Sequence, residues 1–282
     1  MRIVVTGANG QLGKDVIKLL EAQHEVHGLG RADLDITDEG HCLEVIEQLQ
    51  PEVIIHSAAY TAVDLAETNE LETFRVNSDG TKNLAIAAES IGAKFVYIST
   101  DYVFDGKSSQ AYREDDPTNP QSVYGKSKRA GELYVQSLSS KYFIVRTSWV
   151  YGLYGKNFVK TMLELAKTRD SLKVVSDQFG SPTYTVDLAL FLEQLIQTDC
   201  YGIYHASNAG VCSWYEFACT IFEEAGVKLK VESCTTEEFP RPAPRPRNSA
   251  MEHAAIRANG FEDLRHWGKG LKAFLRELEE NN

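Results

Sequence analysis

A doubly wound α/β fold is predicted by three observations. Short β-branched runs alternate with longer segments of helical period as far as about residue 150. A glycine-framed turn joins the first apolar run to the first helical segment. Small polar clusters recur just past the ends of the apolar runs, at Ser57-Ala58-Ala59, Ser99-Thr100-Asp101 and Thr147-Ser148-Trp149. Strand, helix, strand in succession implies right-handed crossovers and a parallel sheet covered on both faces. Such sheets bind ligands beyond the carboxyl ends of their strands, where those clusters lie. The expectation is a Rossmann-type sheet with a smaller C-terminal lobe.

Each element has its own signal. Residues 3–6 read as a strand, and 12–22 carry Leu12, Val16, Leu19 and Leu20 on one helical face. A second strand over 25–29 precedes a helix over 40–50, which stops at Pro51; Val53-Ile54-Ile55-His56 is the third strand. Helices over 71–76 and 80–91 lead to a strand at 95–98, and a helix over 124–138 leads to one at 143–146. Residues 1–150 are thus read as the dinucleotide-binding part. Beyond it the rhythm loosens: a helix over 158–168, a strand at 173–175, a turn at Gly180-Ser-Pro-Thr183 and a helix over 186–197. A strand at 203–205 follows. Residues 186–208 are expected to rejoin the main sheet, with 151–282 forming mainly a substrate-binding lobe. Four of the eight prolines fall in 240–247, which must be an extended loop.

Composition excludes several functions. At 282 residues, 43% hydrophobic and 24% charged, the chain is that of an ordinary soluble globular protein. A net charge of -11 argues against nucleic acid or an anionic membrane as the main partner. No apolar run spans a bilayer and no signal peptide is legible, so a cytoplasmic protein is expected. Five cysteines without a Cys-x-x-Cys pair read as buried thiols, and no metal-ligand spacing is present.

Gly7, Gly10 and Gly13 follow a strand and open a helix. Glycine allows the tight turn and the close approach of a pyrophosphate, whose charge a helix N-terminus favours. Taken alone the motif is also that of a plain strand-to-helix turn. The second strand ends Gly28-Leu29-Gly30-Arg31 without an acid. Arg31 could pair a 2′-phosphate, which points to NADPH, with NADH the alternative. Tyr124 and Lys128 are one helical turn apart. A nearby ammonium and an oxidised nicotinamide would favour phenolate and bring the tyrosine toward neutral pH for acid–base work. Thr100 would donate a hydrogen bond to the same carbonyl oxygen, a role for which Ser99 competes. Asn77 reads either as an orienting group or as a helix cap.

These stretches, with Ala58-Ala59-Tyr60-Thr61-Ala-Val-Asp64, Arg146-Thr-Ser-Trp-Val-Tyr-Gly152, Asp177-Gln-Phe-Gly-Ser-Pro-Thr183 and Arg245-Pro-Arg-Asn-Ser249, span nearly the whole chain. Through them the chain resembles the extended short-chain dehydrogenase/reductases, and within that group the dTDP-4-dehydrorhamnose reductases. The resemblance implies reduction of a 4-keto dTDP-sugar to its 4-hydroxyl, the last step of dTDP-L-rhamnose synthesis. It casts Tyr124 as proton donor, Lys128 as the holder of the nicotinamide ribose, and Thr100 as partner to the substrate oxygen. It lines the dinucleotide with Gly10, Gln11, Leu12, Asp35, Ile36, Ala58, Ala59, Tyr60, Thr61 and Ile98. It sets Thr100, Asp101 and Trp149 against the sugar, although Trp149 reads equally as a core aromatic. Arg241, Arg245 and Arg247 read either as neutralising the substrate diphosphate or as a solvated basic loop. Some members bind Mg²⁺ through acids at a homodimer contact. Asp15 fits one such place, but Val186 occupies another, which argues against the metal. A 4,6-dehydratase is disfavoured because Asp101 is followed by Tyr102 rather than an acid. A sugar-nucleotide 4-epimerase and a non-catalytic regulatory subunit remain as alternatives.

Overall fold

Strand β1 (Arg2–Thr6) leads through the glycine turn into α1 (Gln11–Leu20), and β2 (Glu25–Leu29) follows. These are the first elements of the computed structural model, which describes residues 1–281. Next come α2 (Glu39–Leu49), β3 (Val53–His56), α3 (Val63–Ala66) and α4 (Glu70–Phe74). Helix α4 widens into a π-turn over Arg75–Asp79 and continues as α5 (Gly80–Ser90). Then follow β4 (Lys94–Thr100), α6 (Val123–Leu138), β5 (Tyr142–Thr147), β6 (Val150–Tyr151), α7 (Phe158–Ala166), β7 (Ser171–Val175) and β8 (Phe179–Gly180). The chain continues through β9 (Thr183–Tyr184), α8 (Thr185–Ile196), β10 (Gly202–His205), β11 (Cys212–Ser213) and α9 (Trp214–Glu224). It ends with β12 (Lys230–Cys234), α10 (Ala254–Ala258) and α11 (Trp267–Glu280).

Six strands form one parallel sheet in the order β10-β5-β4-β3-β1-β2. The order reverses between β1 and β3, and the crevice of such a sheet opens at that reversal. Register brings the strand ends together there: Thr6 stands opposite His56 and Leu29, and Thr100 opposite Thr147.

The alternation of the strands decides which helices cover which face. Ile3, Val5, Val53, Ile55, Val96 and Val145 pack with Leu12, Val16 and Leu20 of α1 and with Leu188, Leu192 and Leu195 of α8. Val4, Ile54, Phe95, Tyr97 and Ile144 pack on the other face with Ile46, Leu84, Ala88 and Val135. Burial on both faces is why these strands read as unbroken apolar runs. A third cluster, with Tyr151, Val159, Tyr184, Phe217, Ile221 and Phe274, holds the C-terminal elements. Three two-stranded pairings serve it: β6 with β9, β7 with β12, and β8 with β11. No helix of the described residues is long and apolar enough to cross a membrane.

Two expectations need adjusting. The helix expected over 71–76 is α4 plus the π-turn, which runs without a break into α5. The wider turn keeps the backbone helical, so side-chain periodicity alone does not reveal it. The last third of the chain holds α9, β12 and α11, none of which the periodicity announced. Helix α9 nevertheless carried a local mark: Ser213 and Glu216 form a reciprocal capping box at its start.

Candidate active site

A cavity of about 820 Å³ runs along the crevice. Its wall includes Gly7, Gly10, Gln11, Leu12 and Gly13, then Arg31, Asp35 and Ile36 after β2, and Ala58, Ala59, Tyr60 and Thr61 after β3. Ile98, Thr100, Asp101, Tyr124, Lys128 and Trp149 complete the set drawn from the sequence. Arg241, Arg245 and Arg247, the candidates for the diphosphate, are not among its lining residues, nor is Asn77.

At one end the wall is backbone. Gly7 has a φ of 69°, and a Cβ there would stand 2.7–2.9 Å from the backbone of Ser57 and Ala58. A Cβ on Gly13 would collide with the carbonyl oxygen of Gly7. Helix α1 starts with no side-chain cap at Gly10, so its first N–H groups are left for a ligand. A turn closed to any side chain and followed by an uncapped helix start fits a pyrophosphate. Arg31 is 82% exposed at the rim and reaches Glu72 at 3.5 Å. Asp35 accepts hydrogen bonds from the Thr37 hydroxyl (2.7 Å) and Thr37 N–H (3.0 Å), which hold its carboxyl below the usual range. Buried Asn77, in the π-turn, accepts from Tyr60 N–H (2.7 Å) and donates to Tyr60 O (3.1 Å) and Ser127 Oγ (3.0 Å). It orients backbone, one of its two expected roles, and ties the loop after β3 to α6.

At the other end the wall is side chains. Ser122 caps α6 by accepting from Gly125 N–H at 3.0 Å. Tyr124, Lys128 and Glu132 then follow at one-turn intervals. Fully buried Glu132 accepts from Ser99 Oγ (2.6 Å), Arg146 Nε (2.8 Å) and Nη2 (2.9 Å), and Arg129 Nη1 (2.7 Å). These bonds pin α6 to β4 and β5, and so set Tyr124 relative to Thr100. The Lys128 Nζ lies 4.0 Å from the centre of the Tyr97 ring, a cation–π contact that helps retain a buried charge.

Burial dominates the ionisation of this end. It pushes the Lys128 ammonium down to about 7, with the Glu132 carboxylate partly opposing. It pushes the Tyr124 phenol above its ordinary value, with Asp101 adding to the rise and the Thr100 hydroxyl opposing it. The expectation of a phenolate favoured by Lys128 and an oxidised nicotinamide concerns the cofactor-bound state; in the protein by itself burial holds the phenol protonated. Burial also raises Asp101 to about 6. Its Oδ1 accepts from Thr100 Oγ1 at 2.9 Å, while its buried Oδ2 meets no donor of hydrogen-bond geometry among the described residues, the Ser249 hydroxyl lying near enough only to oppose the rise.

Arg245 instead pairs with Asp64 at 2.9 Å, and Arg241 approaches the same carboxylate at 3.9 Å. The extended 240–247 segment is thereby fastened to α3, one turn from the loop that lines the cavity. Asp15 accepts from the Thr185 hydroxyl through Oδ2, and its Oδ1 is unpartnered. Burial, with nearby Glu277 adding to it, raises the Asp15 carboxyl above its ordinary value, and Val186 offers no oxygen ligand. Within this one chain, no three His, Cys, Asp or Glu side chains gather among the described residues. Asn9, Thr37 and Lys156 also line the cavity and were passed over in the sequence. Lys156 follows the glycine-bracketed stretch Gly152 to Gly155, a mark of a loop that could have drawn attention to it.

A doubly wound sheet with a glycine cradle and a Tyr/Lys helix on one cavity defines an NAD(P)H-dependent oxidoreductase of the short-chain dehydrogenase/reductase type. Comparison with known proteins narrows the class. The family model described as the RmlD substrate binding domain matches residues 1–280. The chain is 46% identical to the spore coat polysaccharide biosynthesis protein SpsK of Bacillus subtilis (strain 168), over 98% of this chain and 97% of the relative. It is 43% identical to a dTDP-4-dehydrorhamnose reductase of Aggregatibacter actinomycetemcomitans, over 96% and 97%. The crystal structure of a dTDP-4-dehydrorhamnose reductase from Bacillus anthracis str. Ames in complex with NADP superposes with a TM-score of 0.96 at 47% identity, covering 98% of this chain and 99% of that one. The chain belongs to the dTDP-4-dehydrorhamnose reductase family.

Proposed function

We propose that the protein reduces the 4-keto group of dTDP-4-dehydro-L-rhamnose with NADPH, yielding dTDP-L-rhamnose for a cell-surface polysaccharide. The observation that carries this reading is the facing of Tyr124 and Thr100 at the end of a cavity whose other end is a phosphate-fitting glycine turn. When bound, the nicotinamide supplies a hydride to the carbonyl carbon. Tyr124 gives its proton to the carbonyl oxygen; a phenol kept protonated by burial is the form a reduction needs. Thr100 shares that oxygen by hydrogen bonding, for which its hydroxyl leaves Asp101. Lys128 holds the nicotinamide ribose with its ammonium and restrains Tyr124 from the turn below. Asp101 and Trp149 bound the sugar side, and Asp101 Oδ2, buried without a partner, gains one from a sugar hydroxyl.

Arg31 meets the 2′-phosphate, which favours NADPH over NADH. Arg245 reaches the diphosphate only by releasing Asp64, so its contribution is conditional on that exchange. Nucleotide-sugar and NADPH supplies both point to the cytoplasm. The test follows NADPH absorbance with dTDP-4-dehydro-L-rhamnose present and absent, and identifies the product by NMR. Substrate-independent absorbance, or a product other than the 4-hydroxyl sugar, would overturn the reading.

A further inference from the structure

Trp149 lines the cavity with its backbone in the left-handed region, at a φ of 47°. A bulky aromatic there is strained, and surrounding contacts must over-determine it. Two do. The indole stacks face to face on Trp214, ring centres 3.5 Å apart and planes 9° from parallel. Gly180 supplies a floor: a Cβ there would stand 2.7 and 2.9 Å from Cε2 and Cζ2 of Trp149.

Trp214 is itself held from several directions and does not line the cavity. It is the first residue of α9, whose start is set by the Ser213–Glu216 capping box. The pairing of β11 with β8 places Ser213 opposite Phe179 and Cys212 opposite Gly180, so Gly180 lies in this short ladder and Trp214 follows directly from it. Phe158 packs against Trp214, ring centres 4.5 Å apart.

We infer that Trp214 is a positioning residue for the sugar nucleotide: its stack on Trp149 holds that indole against the cavity. Helix α9 thereby shapes the substrate wall from outside it. The inference rests on the reading that Trp149 meets the sugar nucleotide.

Trp214→Leu removes the stack, Trp214→Met fills the space without a flat face, and Trp214→Phe keeps a flat face. Leu and Met should raise KM for dTDP-4-dehydro-L-rhamnose by roughly 3- to 10-fold, the usual worth of an aromatic pair. Phe should stay near the parent value. In all three, kcat and the Kd of NADPH should hold, and the near-UV circular dichroism couplet of the stacked indoles should vanish. The chain has only three tryptophans, so that signal is readable. Equal KM values for the Phe and Met variants would overturn the inference even if the Leu variant failed to fold. Trp149→Ala separates the two layers. A raised KM there with a silent residue-214 series removes the inference alone; an unchanged KM removes the reading beneath it as well.

Discussion

The two ends of the cavity are made of different material. Around Gly7, Gly10 and Gly13 the wall is main chain, and the task proposed for it is to hold a charged group by shape and by an uncapped helix start. Around Tyr124 it is side chains from β4, α6 and β5, and burial there moves the ionisation of Tyr124, Lys128 and Asp101. Binding a permanent anion needs geometry, which backbone supplies cheaply. Moving a proton needs groups displaced from their ordinary pKa values, which requires a dry interior.

If this division is real, the two ends should fail differently. Tyr124→Phe should lower turnover by ~10²–10⁴ while the Kd of NADPH stays unchanged, as read by stopped-flow and titration; a matching loss of binding would blur the distinction. Glu132→Ala should lower unfolding free energy by about 3–5 kcal/mol in urea melts, because it leaves Arg146 buried without its bidentate partner. A loss near zero would mean that the ion pair does not hold α6 in place.

The third expectation concerns pH. Burial lowers Lys128 to about 7 in the free protein, so above that value the side chain is neutral and must regain its proton to grip the ribose. The affinity for NADPH should therefore fall by up to about tenfold per pH unit above 7, and Lys128→Met should flatten that slope. A parallel slope in the variant would assign it elsewhere. Smallest is the rim: Arg31→Ala should weaken NADPH by roughly two- to fivefold, as suits an exposed ion pair, and NADH hardly at all. Equal effects on both nucleotides would remove the 2′-phosphate contact.

The backbone end was the more legible in the sequence. A glycine before a helix announces its own geometry, and strand ends can be read from where apolar runs stop. Tyr124 and Lys128 were visible because helical spacing is local. What lay beyond reach was which distant groups crowd them. Glu132 drew no reading from the sequence, because the Ser99 and Arg146 that enclose it lie on other elements. Arg245 looked free for a diphosphate until α3 brought Asp64 to it. Trp214 carried no signal of its own, since a stacking partner 65 residues away leaves no periodic trace.

The order of strands and helices as far as about residue 150, the glycine turn and the Tyr/Lys pair were thus determined by local rules, each satisfied within a few residues. Only the tertiary structure decided the protonation of the phenol, the capture of Arg245 and the clamp on Trp149. These depend on burial and on contacts between segments far apart in the chain, and desolvation is a property of the packed interior that no single stretch of sequence possesses.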